Sequence, residues 1–485
     1  MHGIKQYKMS SASLKKKTVK GVLWSGIERF STAGVNFIIG LIIARLLSPD
    51  EYGIIAMLSI FMAISQSVID SGFSNALIRK QDRKEIDYST AFIFNVAVGI
   101  IMYLCLYIAS PYIAAFYQLP ILENVTKVVG ITLILGAFSI VQQSILTIKV
   151  DFRTQMWISL IAAVISGSVG IIMALHGFSV WALVWQMITV SLLRSVLLWV
   201  VVKWKPKTGF SKDSFRYLFG YGSKLLAAGL LETVYRNLYS IIIGKFYQAK
   251  SLGLYNRGEQ IAAYFPNNVT GIIQRVTFPV FSAIQDNKEK LRNAFLATLK
   301  TLCFLVFPVM SFLFVSAESL VRLVLTDKWI ECALIIQILC ISYVWYPVHI
   351  ININILQAVG RSDLVLKIEI YKKIIGVAVL LFSLPFGIIW MCWGRVIYCG
   401  IELFINMYFT NKILDIEYAA QFKGIIPFLI YSIIMSIALT AISTFISSDL
   451  LKIAFYLVLI AAFWLIWVQK KENINIKEII QSIKN

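Results

Sequence analysis

Apolar runs of about 20 residues, each long enough to cross a bilayer, recur from Gly21 to Val468 with only short polar breaks between them. Hydrocarbon offers no water to backbone N–H and C=O groups, so such runs fold as helices that satisfy their own hydrogen bonds. The pattern leaves no room for a soluble domain of any size. Of the 485 residues, 59% are hydrophobic and only 14% charged, whereas soluble domains are about one-quarter charged. The chain therefore reads as an all-α polytopic membrane protein.

Counting apolar runs between charged breaks predicts about fourteen helices, near 21–47, 51–75, 88–110, 121–148, 154–176, 179–202, 214–245, 250–283, 293–316, 329–358, 362–385, 388–411, 422–446 and 450–469. Lys15, Lys16, Lys17 and Lys20 precede the first run, which is too long for a signal-peptide core and lacks a small-x-small cleavage site. It is read as an uncleaved helix. In a soluble protein the net charge of +20 would point to nucleic acid, but here the bases lie mainly between spans and at the ends, as topology signals. Arg79 to Lys84, Lys203 to Lys212 and Lys288 to Arg292 fall on alternate loops, which places them with both termini on the cytoplasmic side. Lys245, Lys250, Arg322 and Lys328 are exceptions on outer loops, and they weaken the rule without reversing it.

Two stretches repeat at a spacing of about 200 residues. Gln81-Asp82-Arg83-Lys84-Glu85 recurs as Gln285-Asp286-Asn287-Lys288-Glu289, and Ile43-Ala44-Arg45 followed by Gly53 recurs as Ile243-Gly244-Lys245 followed by Gly253. Six helices per half is an even number, so the halves share one orientation. The expected organisation is a basic cytoplasmic N-terminus (1–20), a six-helix bundle (21–205), a second six-helix bundle (206–412), two additional helices (413–470) and a cytoplasmic tail (471–485). Two such bundles around a central cleft form a transporter architecture, because rocking opens the cleft to each side in turn.

Charges inside spans are costly and mark a water-filled cavity or substrate path by default. The first predicted helix carries Ser25, Arg29, Thr32 and Asn36 at three- and four-residue steps with Glu28 beside them, and the second carries Ser59, Gln66, Asp70 and Ser74. The seventh has Lys224, Glu232, Arg236 and Ser240 at multiples of four, flanked by Tyr235 and Tyr239, and the eighth has Arg257, Gln260, Tyr264, Asn268, Gln274 and Arg275. Glu232 and Arg236 could instead simply neutralise one another. Lys224, Lys367, Lys372 and Lys373 are expected to snorkel to the headgroups. Bases outnumber acids in the spans, with Arg29, Arg194, Lys224, Arg236, Arg257, Arg275 and Arg395 set against Glu28, Asp70, Glu232, Glu259 and Glu402. A basic cleft favours an anionic cargo, since the guanidinium fork matches phosphate. The substrate-binding candidates are therefore Arg29, Arg236, Arg257 and Arg275, with Tyr235, Tyr239 and Tyr264 offering flat faces to sugar rings. Asp70, Glu232 and Glu28 are the candidates for responding to protons or cations.

Several chemistries lack their residues. The six cysteines are scattered through apolar runs without a C-x-x-C pair and read as small core residues, and the three histidines form no H-E-x-x-H. Gly220-Tyr221-Gly222-Ser223-Lys224 has the wrong spacing for a P-loop. No metal, cofactor, nucleic acid or catalytic role is expected.

The stretches Leu41 to Gly53, Val180-Trp181-Ala182-Leu183-Val184, Leu252-Gly253-Leu254-Tyr255-Asn256-Arg257 and Phe278-Pro279 to Gln285-Asp286 resemble the multidrug/oligosaccharidyl-lipid/polysaccharide exporter superfamily, and within it the polysaccharide-transporter branch of Wzx-type flippases. Lys328-Trp329 and Leu356 to Arg361 extend the resemblance along nearly the whole chain. It implies twelve core helices in two bundles, two extra C-terminal helices, and alternating access coupled to a proton or sodium gradient. The implied cargo is a polyprenyl-diphosphate-linked oligosaccharide crossing the bacterial inner membrane for O-antigen, capsule or exopolysaccharide synthesis. Membrane lipids, a polysaccharide polymerase and other biosynthesis proteins are the implied partners. The alternatives are a multidrug or cation exporter of the same superfamily and a membrane-embedded glycan polymerase or ligase.

Overall fold

The computed structural model describes residues 31–80 and 82–470. Regular structure among them is helical throughout. Helices α1 (Ser31–Leu46), α2 (Pro49–Asp70), α3 (Phe73–Arg79) and α4 (Glu85–Tyr117) lead to a broken segment made of α5 (Ile121–Val129), α6 (Ile131–Ala137) and α7 (Ile140–Ile148). Then come α8 (Phe152–Leu175), α9 (Val180–Val202), α10 (Lys212–Arg236), α11 (Leu238–Phe246) and α12 (Ala249–Ala283). The order closes with α13 (Lys288–Val324), α14 (Cys332–Tyr343), α15 (Tyr346–Ala358), α16 (Ser362–Ser383), α17 (Ile388–Leu414), α18 (Tyr418–Ser443) and α19 (Asp449–Lys470).

These helices group into fourteen segments consistent with the predicted spans. Among the described residues, nine segments are by themselves long and apolar enough to cross a membrane, from Pro49–Arg79 through Tyr418–Ser443. The protein is a multi-pass membrane protein. Ile108, Tyr112, Ile172, Phe382 and Ile437 are all strongly exposed, as suits contact with lipid rather than water. Sequence reading missed the breaks. α2 stops at Ser71 and Gly72, both with positive φ, and the fourth segment is interrupted at Gly130 and again at Ser139.

Local chemistry sets several helix starts. Ser48 and Glu51 form a reciprocal capping box at the head of α2, with Pro49 in the first turn. Both copies of the repeated pentapeptide lead into a helix, α4 at Glu85 and α13 at Lys288. In the first turn of α4 the buried Asp87 carboxylate accepts from Lys80 Nζ (2.8 Å), the Lys84 backbone N–H (2.7 Å) and Ser214 Oγ (2.7 Å), tying the preceding loop to α10. Ahead of α13, Asn287 accepts from the Lys290 N–H at 3.0 Å.

Two compact units divide the chain, one ending at Gly253 and the next beginning at Leu254, so the boundary falls inside α12. In the first, Phe73, Phe92 and Leu77 form a core edged by Phe94, Phe138, Trp199 and Trp204. Trp204 Nε1 donates to Glu85 at 2.8 Å and Trp199 Nε1 to the Phe138 carbonyl at 2.9 Å. The second unit is cored by Phe295, Phe304 and Phe307 of α13 against Val348, Ile351 and Ile355 of α15 and Met407 of α17. Five of the six cysteines are buried, in keeping with their expected packing role; Cys105 is exposed.

Candidate functional site

In the first unit the polar face that Ser59 and its neighbours form on α2 turns toward α10. Ser67 Oγ meets Thr233 Oγ1 at 3.4 Å and Ser59 Oγ meets Asn237 Oδ1 at 3.5 Å. Register runs down α2 as it runs up α10 and α11, so the helices are antiparallel. Glycines close the pairing at both ends. A Cβ on Gly222 would lie 2.2 Å from the Ser71 carbonyl oxygen. At the other end a Cβ on Gly53 would lie 1.8 Å from the Ala249 oxygen, and one on Gly253 would lie 1.9 Å from the Pro49 oxygen. Only glycine allows backbones this close.

Along this seam Asp70 is half-buried at the end of α2, one turn before Ser74, and its Oδ1 is buried with no hydrogen-bond partner. Ser74 in turn meets Ser144 Oγ at 2.9 Å. Glu232 and Arg236 on α10 are exposed, and Tyr235 and Tyr239 are half-buried. Arg29 and Glu28 lie outside the described residues, as does the side chain of Lys224.

The second unit separates the candidates on α12. Arg257 is buried, donates to Gln260 Oε1 at 2.9 Å and lies over the Trp329 ring at 5.6 Å. Tyr264 and Arg275 are exposed. Near Arg257, Arg395 of α17 reaches Glu259 Oε1 at 2.7 Å, the Tyr255 hydroxyl at 3.1 Å and the Tyr343 hydroxyl at 2.6 Å, while that Tyr343 hydroxyl donates to Glu259 at 3.0 Å.

A further cluster escaped sequence reading. Lys372, expected to snorkel, is buried at 6% exposure, with Nζ 2.6 Å from Glu369 and 2.8 Å from Glu402. The correction has a simple cause: Lys372 sits mid-way along α16, and the Glu402 carboxylate on α17 offers an ion pair nearer than any headgroup. Glu402 also lies 4.0 Å from Nε2 of His349 on α15, which is 3.1 Å from Cys399 Sγ, and Asn406 Nδ2 is 3.3 Å from His349 Nδ1. The local signal was present. Cys399, Glu402 and Asn406 share one face of α17, and Glu369 and Lys372 are one turn apart on α16. What joins the two faces is a helix packing that spacing does not reveal.

Many helices long and apolar enough to cross a membrane, with ion pairs held inside them, define a polytopic membrane protein. The fold is shared, with a TM-score of 0.71, by a solved structure described as the lipid II flippase MurJ in an inward closed conformation, over 93% of this chain and 99% of that one at 14% identity. The chain belongs to the polysaccharide biosynthesis protein family, which matches residues 42–334. It is similar to the teichuronic acid biosynthesis protein TuaB of Bacillus subtilis (strain 168), 25% identical with 86% of this chain and 87% of that one covered. It is also similar to the lipopolysaccharide biosynthesis protein WzxC of Escherichia coli (strain K12), 24% identical with 74% of each covered.

Proposed function

We propose that the protein is a flippase that moves a polyprenyl-diphosphate-linked oligosaccharide from the inner to the outer leaflet of a bacterial cytoplasmic membrane by alternating access, for surface polysaccharide synthesis. The observation that carries this reading is the conjunction of a polysaccharide biosynthesis family match over residues 42–334 with the fold of a lipid-linked-precursor flippase over 93% of the chain. In this reading no covalent bond of the cargo changes, both termini are cytoplasmic, and residues 413–470 are an appendage to the two bundles. A polysaccharide polymerase and other biosynthesis proteins receive or supply the cargo.

Among the candidate arginines the exposed guanidiniums are those available to a diphosphate: Arg236 on α10 in the first unit and Arg275 on α12 in the second, with Tyr264 exposed on the same helix as Arg275 for a sugar face. Arg257 is committed to Trp329 and Gln260, and its proposed part is to hold α12 rather than to meet cargo first.

The test is leaflet transfer. Full-length protein in liposomes is given a fluorescent polyprenyl-diphosphate oligosaccharide, and an impermeant quencher reports how much label stays on the inner leaflet. Transfer with the cargo recovered intact supports the reading. Cargo that is lengthened or cleaved moves the protein to the polymerase or ligase class, and transfer of lipophilic cations alone moves it to drug export.

A further inference from the structure

The stretch from the end of α9 into the first turns of α10, residues 203–219, combines unpaired bases with exposed rings on a chain that is held in place. We infer that it is a docking surface for acidic phospholipid headgroups of the leaflet it faces. The inference does not depend on the flippase reading.

Place is the first reason. α4 and α9 are each long and apolar enough to cross a membrane, so the start of α4 and the end of α9 lie where a span meets the headgroups. The stretch is pinned to that level. Lys203 turns the chain out of α9 with a left-handed backbone (φ 54°). Trp204 then donates from Nε1 to Glu85 Oε1 at 2.8 Å and sets its ring edge-on to Phe92 at 5.8 Å. Further on, the Ser211 N–H donates to Thr90 Oγ1 at 3.1 Å and Ser214 Oγ to Asp87 at 2.7 Å. All of these anchors lie in the first two turns of α4. A chain fixed at both ends presents what lies between at a set depth.

Charge is the second reason. Residues 203–216 hold five bases, Lys203, Lys205, Lys207, Lys212 and Arg216, against one acid, Asp213. All five bases are exposed, and none makes an ion pair among the described residues. The acids at the anchors are occupied, Glu85 by the Trp204 indole and Asp87 by Lys80 and Ser214. The five positive charges are therefore left for something outside the fold, and an acidic membrane surface attracts each of them within a Debye length.

The rings separate this surface from a bare topology signal, which needs bases in a loop and neither a fold nor aromatics. Phe210 and Phe219 are 47% and 39% exposed. Phe215 lies between them, 5.6 Å from Phe210 and stacked on Phe219 with centroids 5.3 Å apart. Tyr217, 50% exposed, holds Lys80 Nζ 5.0 Å from its ring centre. Exposed rings among bases suit the boundary between acyl chains and headgroups, where the rings enter and the cations meet phosphate. The bases are also dispersed. Lys203, Lys205 and Lys207 alternate along chain outside any helix, and Lys212 and Arg216 are one turn apart on α10. That spread suits several singly charged headgroups side by side rather than one diphosphate. An acidic soluble protein would meet the same charge but has no use for phenyl rings at headgroup depth.

The test uses full-length protein with p-benzoylphenylalanine in place of Phe210, in vesicles of about four parts phosphatidylcholine to one part phosphatidylglycerol. Light joins the probe to what it touches, and mass spectrometry of the adduct identifies the lipid. The ratio of phosphatidylglycerol to phosphatidylcholine among the adducts should exceed the bulk ratio about fivefold or more, the enrichment that one base near the surface brings. The same probe in place of Phe382 on α16, 77% exposed, should return the bulk ratio. Lys205→Gln/Lys207→Gln/Lys212→Gln/Arg216→Gln should bring the ratio at 210 down to that at 382. Raising salt from about 0.01 M to about 1 M, which shortens screening from about 30 Å to about 3 Å, should do the same with the native bases in place. This arm decides if the quadruple variant does not fold. A bulk ratio at 210 in low salt overturns the inference, as does an enrichment that salt leaves unchanged. Adducts with a polypeptide instead of lipid in intact membranes also overturn it, and assign the face to an acidic protein.

Discussion

Replacing Gly53 by alanine tests the close crossing of α2 with the head of α12. The new Cβ would fall 1.8 Å from the Ala249 carbonyl oxygen, whereas carbon–oxygen contacts ordinarily begin at about 3.3 Å. The two backbones must therefore separate by roughly 1.5 Å, and no rotamer change can relieve a clash whose obstacle is main chain. Overpacking of this kind costs about 1–3 kcal/mol, and a backbone obstacle puts it at the upper end. Alanine returns about 1 kcal/mol through its better helix propensity. The net loss is about 2 kcal/mol, roughly a 30-fold shift toward the separated state. Hydrogen exchange of the full-length protein in detergent, followed in peptides covering 48–58 and 248–258, should show protection falling by about that factor, with the rest of α2 less affected. Gly253→Ala should behave alike, its Cβ lying 1.9 Å from the Pro49 oxygen. The double variant should cost little more than either single one, because one separation relieves both clashes. Unchanged exchange in Gly53→Ala, or full additivity in the double variant, would refute the reasoning.

Asp87→Ala leaves Lys80 and Ser214 facing a buried gap and should destabilise the first unit by about 3 kcal/mol, seen as a lower unfolding temperature and poor recovery of monodisperse protein. Lys372→Met strands Glu369 and Glu402 and should cost about 3–5 kcal/mol; adding Glu402→Leu should recover much of it in the same thermal assay. Arg236→Ala combined with Arg275→Ala should slow oligosaccharide transfer in liposomes about tenfold or more while leaving the unfolding temperature in place, because both side chains are exposed.

A succession of membrane-length helices was legible because bilayer thickness leaves a hydrophobic run few alternatives. The pairing of Gly53 with Gly253 was legible as a repeated spacing, and a polar face on α2 was legible from Ser59, Gln66, Asp70 and Ser74. The purpose of those glycines was not, since a close backbone approach leaves no periodicity in the residues around it. Arg257 shows the limit from the other side. Its position among polar neighbours on α12 suits a cavity equally well, and only the place of Trp329, more than seventy residues away, shows that it is packed against an indole. Lys372, Glu402 and His349 each looked ordinary alone; their meaning lies in three helices brought side by side.

The glycine crossing is also reciprocal. Pro49 faces Gly253 while Ala249 faces Gly53, so each position meets the counterpart of its own partner about 200 residues away. That reciprocity is the mark of an isologous contact, the kind two identical subunits make across a two-fold axis. The residues around the two copies of the contact can differ in everything but the bare backbone at its centre. A substitution tolerated at Gly53 should therefore become so only after its twin at Gly253 has already given way.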